Sequence, residues 1–384
     1  MKRSEWEKYL DGFYIVDCAI RSNDIAYILA VKDGLDDQER ELWHVISWAP
    51  VVFREDNKTI GRSEFFNLRP TPRIAVEFTP EERYILCDTG GYCWIGRQGE
   101  SYQPGLMEQM RTIGDEVYLL NSFSLSKRNG HTDEWEELEL HPLIIEDYDD
   151  ETSDRRFLLI DFDAFSNGVF YLLDWKGKVF YQRHDAWDMV DLTAMGYPNL
   201  QTEGICCGPD GWVYIFGKDE KGGKIFQGKG DQWKVIWTSS FEIYHIDFES
   251  YQDHVIISNN FLFSKIKDGK VEPIENTPFS PQFVSVRDNL LMIASSEEAA
   301  IFDGKEWRVI ISPYFDENAI YNPQKLTFTP DELNIISQLE YASSEEGEKE
   351  LAAAKEFIES LDDETLNRIR KKMYEAAQKA KNKG

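Results

Sequence analysis

The chain has 384 residues and a net charge of −28 at pH 7, from 70 acidic and 42 basic side chains. Such a charge disfavours nonspecific nucleic-acid binding, because phosphates are repelled, and it suits a partner with a basic surface. The N-terminal segment MKRSEWEKYL has no apolar core, and no run of about 18 apolar residues occurs. We therefore expect neither a secretion signal nor a membrane span.

The N-terminal quarter gives the weakest β signal. Residues 1–11 are an amphipathic lead-in, for which the pattern predicts a strand or a turn. Residues 11–48 predict a first group of strands, interrupted by an acidic loop at 33–41. Region 49–72 is the least repetitive, and its local excess of basic residues comprises Arg54, Lys58, Arg62 and Arg69. We interpret that region as an insertion, such as a surface hairpin balanced by nearby acids.

The clearest β pattern lies in residues 168–192. Apolar and polar side chains alternate there, and Lys176-Gly177 and residues 184–186 supply two turns, which predicts three consecutive strands. Because the apolar period is two and not 3.6, helical repeats are disfavoured.

A tryptophan-marked phrase from this segment recurs along the chain. A turn residue precedes the tryptophan, and an aliphatic residue follows after two intervening positions. Clear copies centre on Trp135, Trp187, Trp233 and Trp307, and weaker copies centre on Trp43, Tyr102 and Val271. Successive anchors are 59, 33, 52, 46, 38 and 36 residues apart. The phrase therefore marks a repeat unit.

The pattern resembles the repeats of a degenerate β-propeller, over residues 11–312, because the later steps approach the roughly 40–50 residues of a propeller blade. It departs from the WD40, kelch and sialidase types, whose signature motifs are absent. No activity is therefore carried over. The resemblance implies an all-β fold, a β-propeller of seven blades, with six or eight left open by the irregular steps. A pair of β-sandwiches is the competing architecture.

An acidic segment separates the predicted blades two and three (73–140) from blades four to seven (155–312). Its sequence, HPLIIEDYDDETSD, spans residues 141–154. Its acids, which we take as the candidate partner-binding residues, are Glu146, Asp147, Asp149, Asp150, Glu151 and Asp154. They could mimic a phosphate backbone in the basic cleft of a partner. A calcium site is less suitable, because the glycine and regular spacing of a loop site are missing. A solvated, self-repelling loop is the plain alternative.

Four carboxylates fall on predicted inner strands: Asp161, Asp163, Asp247 and Glu249. They either line an axial channel, as in propeller enzymes, or bind turn amides between blades, which we favour. The six histidines are scattered without metal-binding spacing, and no nucleophile assembly or phosphate loop stands out. The sequence therefore predicts no catalytic residue, no metal site and no cofactor.

The five cysteines are odd in number and unpatterned, which favours a reducing cytoplasm over a disulfide scaffold. Cys206 and Cys207 are adjacent on a predicted inner strand and would point to opposite faces, so we expect packing residues and not a metal pair.

Near Pro313 the apolar period changes. Thr329, Pro330 and Glu332 form a helix start, and further helical patterns follow, which predicts a C-terminal α-helical extension at 313–384 beside a β-propeller at 1–312. Residues 364–384 carry seven basic and two acidic side chains, a net charge of +5. We expect this basic tail to dock on the acidic propeller or to join copies of the chain into a homo-oligomer. A binding arm for another protein and a plain helix end remain alternatives.

Together these features predict a cytoplasmic, non-catalytic, protein-binding propeller with no nucleic-acid or membrane partner. Within that class we favour a bacterial immunity-type inhibitor that neutralises a basic toxin domain. One alternative is a glycan-processing hydrolase that uses two channel carboxylates. A structural scaffold of a larger assembly is the other.

Overall fold

The computed structural model describes residues 1–32, 42–66, 68–69, 71–96, 100–102, 106–144, 158–183, 186–239, 246–259 and 262–321. Within these ranges no helix has the length and apolar character to cross a membrane. The predicted C-terminal helices and basic tail lie outside the described residues.

The described chain forms seven antiparallel sheets of four strands each, and each sheet uses four strands that are consecutive in sequence. The first strand of each sheet contacts the first strand of the next, and the last sheet returns to the first. The fold is therefore a seven-bladed β-propeller with an inner ring of first strands. The predicted fold class is confirmed, with seven blades among the three counts considered.

The strands follow chain order. Blades one to three contain β1 (Phe13–Ser22), β2 (Ile25–Lys32), β3 (Leu42–Trp48), β4 (Ile60–Phe66), β5 (Arg73–Glu77), β6 (Arg83–Cys87), β7 (Tyr92–Ile95), β8 (Glu100–Tyr102), β9 (Met107–Ile113), β10 (Glu116–Asn121), β11 (Leu125–Asn129) and β12 (Glu134–Leu138). Blades four and five contain β13 (Leu159–Ala164), β14 (Phe170–Asp174), β15 (Lys178–Arg183), β16 (Ala186–Asp191), β17 (Gln201–Cys207), β18 (Val213–Asp219), β19 (Gly222–Lys229) and β20 (Gln232–Thr238). Blades six and seven contain β21 (Asp247–Tyr251), β22 (His254–Ser258), β23 (Phe263–Lys267), β24 (Lys270–Pro273), β25 (Phe283–Arg287), β26 (Leu290–Ala294), β27 (Ala299–Phe302) and β28 (Trp307–Ile311).

Apolar side chains of neighbouring blades meet face to face. Between blades five and six, for example, Phe216 of β18 packs with Phe248 of β21 and Ile257 of β22 in one buried cluster. A blade cannot bury both of its faces alone, so the stacking of neighbours around the axis supplies the core. This explains the alternating pattern of the sequence.

The repeat phrase was assigned correctly in the later blades and wrongly in the first. Trp135, Trp187, Trp233 and Trp307 lie on outer strands, whereas Trp43 lies on β3, the third strand of blade one. The outer strand of that blade is β4, so region 49–72 is part of the blade and not an insertion beyond it. β4 buries only its first two residues and carries no tryptophan.

Residues 3–10 form helix α1 (Arg3–Leu10), not the predicted strand or turn. The backbone N–H of Lys2 donates to Glu5 Oε2 at 3.0 Å and helps to cap it. Trp6, Tyr9 and Leu10 are spaced to share one helix face, and they are buried in the cluster between blades one and seven. Helix α1 therefore packs at the junction of blades one and seven, where the ring closes.

Because successive strands are antiparallel, the connections between them lie alternately at two opposite ends of the ring. Hairpins that join first to second and third to fourth strands form one end, here called the hairpin face. Connections from second to third strands, and from each fourth strand to the next blade, form the other end, here called the crossover face.

Candidate functional site

The predicted partner-binding acids lie outside the described residues, because the structure does not describe 145–157. The flanking residues belong to the connection from β12 to β13, at the crossover face. Ile144 is buried between blades three and four, and the N–H of Leu158 donates to Asp174 Oδ2 at 2.9 Å.

The inner-strand carboxylates join neighbouring blades. Asp161 Oδ1 accepts from the N–H of Phe162 at 2.8 Å, and its Oδ2 accepts from Ile205 of the next blade at 2.9 Å. Asp163 repeats this with Ala164 at 2.8 Å and Cys207 at 2.7 Å. The favoured interpretation, in which these carboxylates bind amides between blades, is therefore confirmed for Asp161 and Asp163. The bound amides, however, belong to inner strands and not to turns.

The same device occurs at two further junctions, and the sequence analysis named the aspartate of only one of them, Asp247. Asp17 accepts from Cys18 at 2.8 Å and from Ile74 of blade two at 2.9 Å. Asp247 Oδ2 accepts from Val284 of blade seven at 2.8 Å. An aspartate in an otherwise apolar inner strand, as in Ile15-Val-Asp17, is the signal that identifies these positions.

A second feature escaped the sequence analysis altogether: Arg111 of β9 reaches across the axis. Its Nε and Nη2 donate to the two oxygens of Asp161 at 3.1 and 3.0 Å. Its Nη1 donates to the carbonyl of Phe248 in blade six at 3.1 Å and lies 3.6 Å from a carboxylate oxygen of Glu249. This one side chain therefore joins blades three, four and six inside the channel.

The channel contains a cavity of about 1030 Å³. Glycines of hairpins in blades three, four and five (Gly114, Gly168 and Gly208) line it, so it opens toward the hairpin face. Arg287 of blade seven crosses this mouth and donates to the carbonyl of Gly114 at 2.9 Å and to Asp115 at 2.8 Å. Among the described residues, no group of three or more His, Cys, Asp or Glu side chains is arranged to hold a metal ion.

Burial dominates the electrostatics of the channel. It raises the pKa of Asp163 and Asp247 despite the nearby Arg111. The pKa of Glu249 lies well above its usual range for the same reason, with further contributions from Asp247 and Asp163. Burial likewise raises the pKa of Asp17 to about 6.

The raised pKa of Asp17 predicts a pH-dependent stability. The folded state holds a proton up to about pH 6, whereas an unfolded aspartate loses it near about pH 3.9. The contribution of Asp17 to stability is therefore highest below about pH 4 and falls as the pH rises to 6, by about 3 kcal/mol in all. Denaturant titrations of Asp17→Asn should show a shallower fall across this window.

The absolute stability of Asp17→Asn is not diagnostic, because asparagine keeps only one of the two acceptor oxygens. The diagnostic quantity is the slope of the free energy of unfolding against pH. The matched change at the exposed Asp288, Asp288→Asn, should leave the slope unchanged, and equal slopes in all three proteins would contradict the assignment.

The cysteines behave in two ways. Cys206 and Cys207 are both buried, in separate clusters on opposite faces of β17, which confirms their prediction as packing residues. The sequence analysis did not identify the pairing of Cys87 and Cys93, which are bonded to each other. They lie directly opposite each other on β6 and β7, a register that the spacing of the sequence alone does not give.

Apolar side chains are exposed on the crossover face of blades one to four. Five of them are here called the crossover patch: Phe66, Tyr92, Leu106, Leu143 and Trp175. Each of the five lies at a strand end or in a connection. On the hairpin face, Val51, Val52 and Phe53 are exposed in a 3-10 turn of blade one.

No family model and no curated protein matches the chain. Solved structures match at low identity. YCF48 bound to D1 peptide is 10% identical, with 74% of this chain and 91% of that chain covered and a TM-score of 0.47. YCF48 from Cyanidioschyzon merolae is 10% identical, with 76% and 95% covered and a TM-score of 0.48. Kluyveromyces lactis Hsv2p is 10% identical, with 78% and 97% covered and a TM-score of 0.43. The likeness concerns fold alone.

Proposed function

We propose that this chain is a non-catalytic propeller that binds a protein through the crossover patch. The observation that carries the proposal is the exposure of Phe66, Tyr92, Leu106, Leu143 and Trp175 on one face. Aromatic side chains are the usual energetic anchors of protein interfaces, whereas exposed apolar surface has a cost in a protein without a partner.

Charge supports a basic partner. The acidic segments 33–41 and 141–154 join strands whose described ends lie at the crossover face, and Leu143 of the crossover patch belongs to the second segment. Apolar surface beside acidic segments complements a partner that has apolar and basic surface, and opposite charge also accelerates association.

The channel leaves the hydrolase alternative with two of its four candidate carboxylates, Asp247 and Glu249. The hydrolase alternative requires two free carboxylates, but Asp161 and Asp163 each give both oxygens to backbone amides that join blades. Two of the four candidates therefore have a structural task.

Within this class we propose an immunity-type inhibitor whose partner is a basic toxin domain. The acids of 146–154 would then engage the basic surface that the toxin uses for its own substrate. A toxin-like reading frame beside the gene for this chain would supply the partner for the measurement, and coexpression should protect cells from it.

The test compares two phenylalanines. Phe66 on the crossover face and Phe53 on the hairpin face are 56% and 61% exposed, so their truncation should affect folding equally little. We expect Phe66→Ala to weaken binding of the neighbouring gene product by about tenfold or more, measured by calorimetry, and Phe53→Ala to leave it unchanged. Equal losses, or a loss with Phe53→Ala alone, would reject the crossover patch as the interface.

A charge-reversal variant at Glu146, Asp149 and Asp150 tests the acidic segment separately. If its affinity equals that of the wild-type chain while Phe66→Ala binds weakly, the apolar patch is the interface and the acidic segment is not.

A further inference from the structure

The axial cavity has the character of a ligand pocket. Its volume of about 1030 Å³ lies at the upper end of the range typical of small-molecule sites. The side chain of Arg111, which is only 9% exposed, lines the cavity together with Asp17, Asp163, Asp247 and Glu249, a polar set here called the floor. Ring faces of Phe78 and Phe165 belong to the lining nearer the hairpins. The cavity is thus a pocket with apolar walls and a polar floor.

Most polar groups of the floor already have partners. Both oxygens of Asp17 and both of Asp163 accept backbone N–H groups. Arg111 donates to Asp161, Phe248 and Ile205. These groups hold the blades together and are not free for a ligand.

Two carboxylates of β21 differ from the rest. Within the described chain, the only polar contact of the Glu249 carboxylate is Arg111 Nη1 at 3.6 Å, and its side chain is 31% exposed. Asp247 uses Oδ2 for Val284, while its Oδ1 has no hydrogen bond to any described residue. The two residues are two positions apart on one strand, so their side chains project to the same side. They present spare acceptors to one volume.

The rings of the pocket already contact cations. The guanidinium of Arg287 lies 3.6 Å from the centroid of Phe78, and Lys229 Nζ lies 5.4 Å from that of Phe165. These walls therefore tolerate a positively charged group and its aliphatic stem.

We propose that the axial pocket binds an alkylammonium or alkylguanidinium group, with Glu249 and Asp247 accepting its N–H donors and the rings of Phe78 and Phe165 packing on its stem. The source is either a free small amine or a lysine or arginine side chain. A cation compensates the charge of these two half-buried carboxylates, a task that Arg111 performs mainly for Asp161.

Calorimetric titration of the full chain with n-butylammonium, n-butylguanidinium and n-butanol tests the proposal. We expect saturable binding of the two cations and binding of the neutral alcohol weaker by about tenfold or more. Equal binding of n-butylammonium and n-butanol would overturn the proposal, as would no binding of either cation.

Two carboxylate variants locate the site. Glu249→Gln removes an acceptor charge from the floor and should weaken n-butylammonium binding by about tenfold or more. Glu116→Gln is the matched control, because Glu116 lines the same cavity but pairs with Lys127 at 2.7 Å, and it should bind as the wild-type chain does. Equal effects of both variants would overturn the assignment to the floor. Thermal unfolding of Glu249→Gln should show an unchanged or raised midpoint, which separates lost binding from lost folding.

The two sources are distinguished by N-acetyl-lysine methylamide and its norleucine counterpart. Binding of the blocked lysine assigns the pocket to a polypeptide side chain, and binding of n-butylammonium alone assigns it to a free amine. The pocket opens on the hairpin face, so Phe66→Ala should bind these probes normally. The outcomes for the pocket and for the crossover patch are therefore independent.

Discussion

Replacement of Arg111 by methionine is expected to lower the free energy of unfolding by about 3–5 kcal/mol, the range found when one partner of a buried ion pair is removed. Asp161 is 2% exposed and would lose two charge-assisted hydrogen bonds at once. Methionine replaces much of the aliphatic volume of arginine, so the loss reports charge and hydrogen bonding more than cavity formation. Equilibrium unfolding in urea measures it.

Two comparisons make the Arg111 experiment specific. Arg308→Met removes an arginine that is 41% exposed and lies 4.0 Å from Asp24, so its cost through that ion pair should stay below about 1 kcal/mol. Adding Asp161→Asn to Arg111→Met removes the unpaired charge and should restore part of the loss. The role assigned to Arg111 is wrong if both arginine variants unfold at the same urea concentration.

The second large effect is expected at Glu77, where truncation to alanine should cost about 3 kcal/mol or more. Glu77 at the end of β5 is 1% exposed; its Oε2 accepts from Arg83 Nε at 2.8 Å, and its Oε1 lies 3.0 Å from Arg128 Nε. That second contact is an ion pair whose angle is too poor for a hydrogen bond. The Arg128 side chain is fully buried, so loss of Glu77 leaves a buried charge between blades two and three with less compensation.

Asp133 limits the damage, because it also pairs with Arg83 at 2.6 Å and with Arg128 at 2.5 Å. The matched control is Glu82→Ala, since Glu82 pairs with Arg21 at 2.7 Å but is 52% exposed. Thermal unfolding should show a lower midpoint for Glu77→Ala and almost none of that change for Glu82→Ala. Similar midpoints for the two variants would show that the buried cluster contributes little.

The architecture could be predicted from the sequence because it depends on repetition. The outer strands of blades three, four, five and seven place a tryptophan near the strand start. One example is Trp187, whose indole N–H donates at 2.9 Å to the carbonyl of Glu139, in the connection that enters its blade. The tryptophan and the alternating pattern around it are local signals. Blade one was misjudged because β4 lacks that residue and the mark on Trp43 belongs to β3.

The channel could be predicted only in part. The alternating pattern identified Asp161 and Asp163 as inner-strand carboxylates, because that pattern is local in the sequence. Arg111 was missed because its contacts with Asp161 and Phe248 lie 50 and 137 residues away, and a single arginine in a strand has no local signature. Helix α1 was missed because eight residues are too few for an apolar period to be distinguished from a turn.

The strand order has a consequence for how the ring is joined. Every sheet is one uninterrupted stretch of chain, and the N–H and hydroxyl of Ser4 donate to Glu317 at 3.1 and 2.9 Å, so the first and last described segments lie side by side. A circular permutant that links these neighbours and opens the backbone between two other blades keeps all sheets whole. Any blade can therefore come first in the sequence of such a permutant, and α1 then lies within the chain instead of at its start.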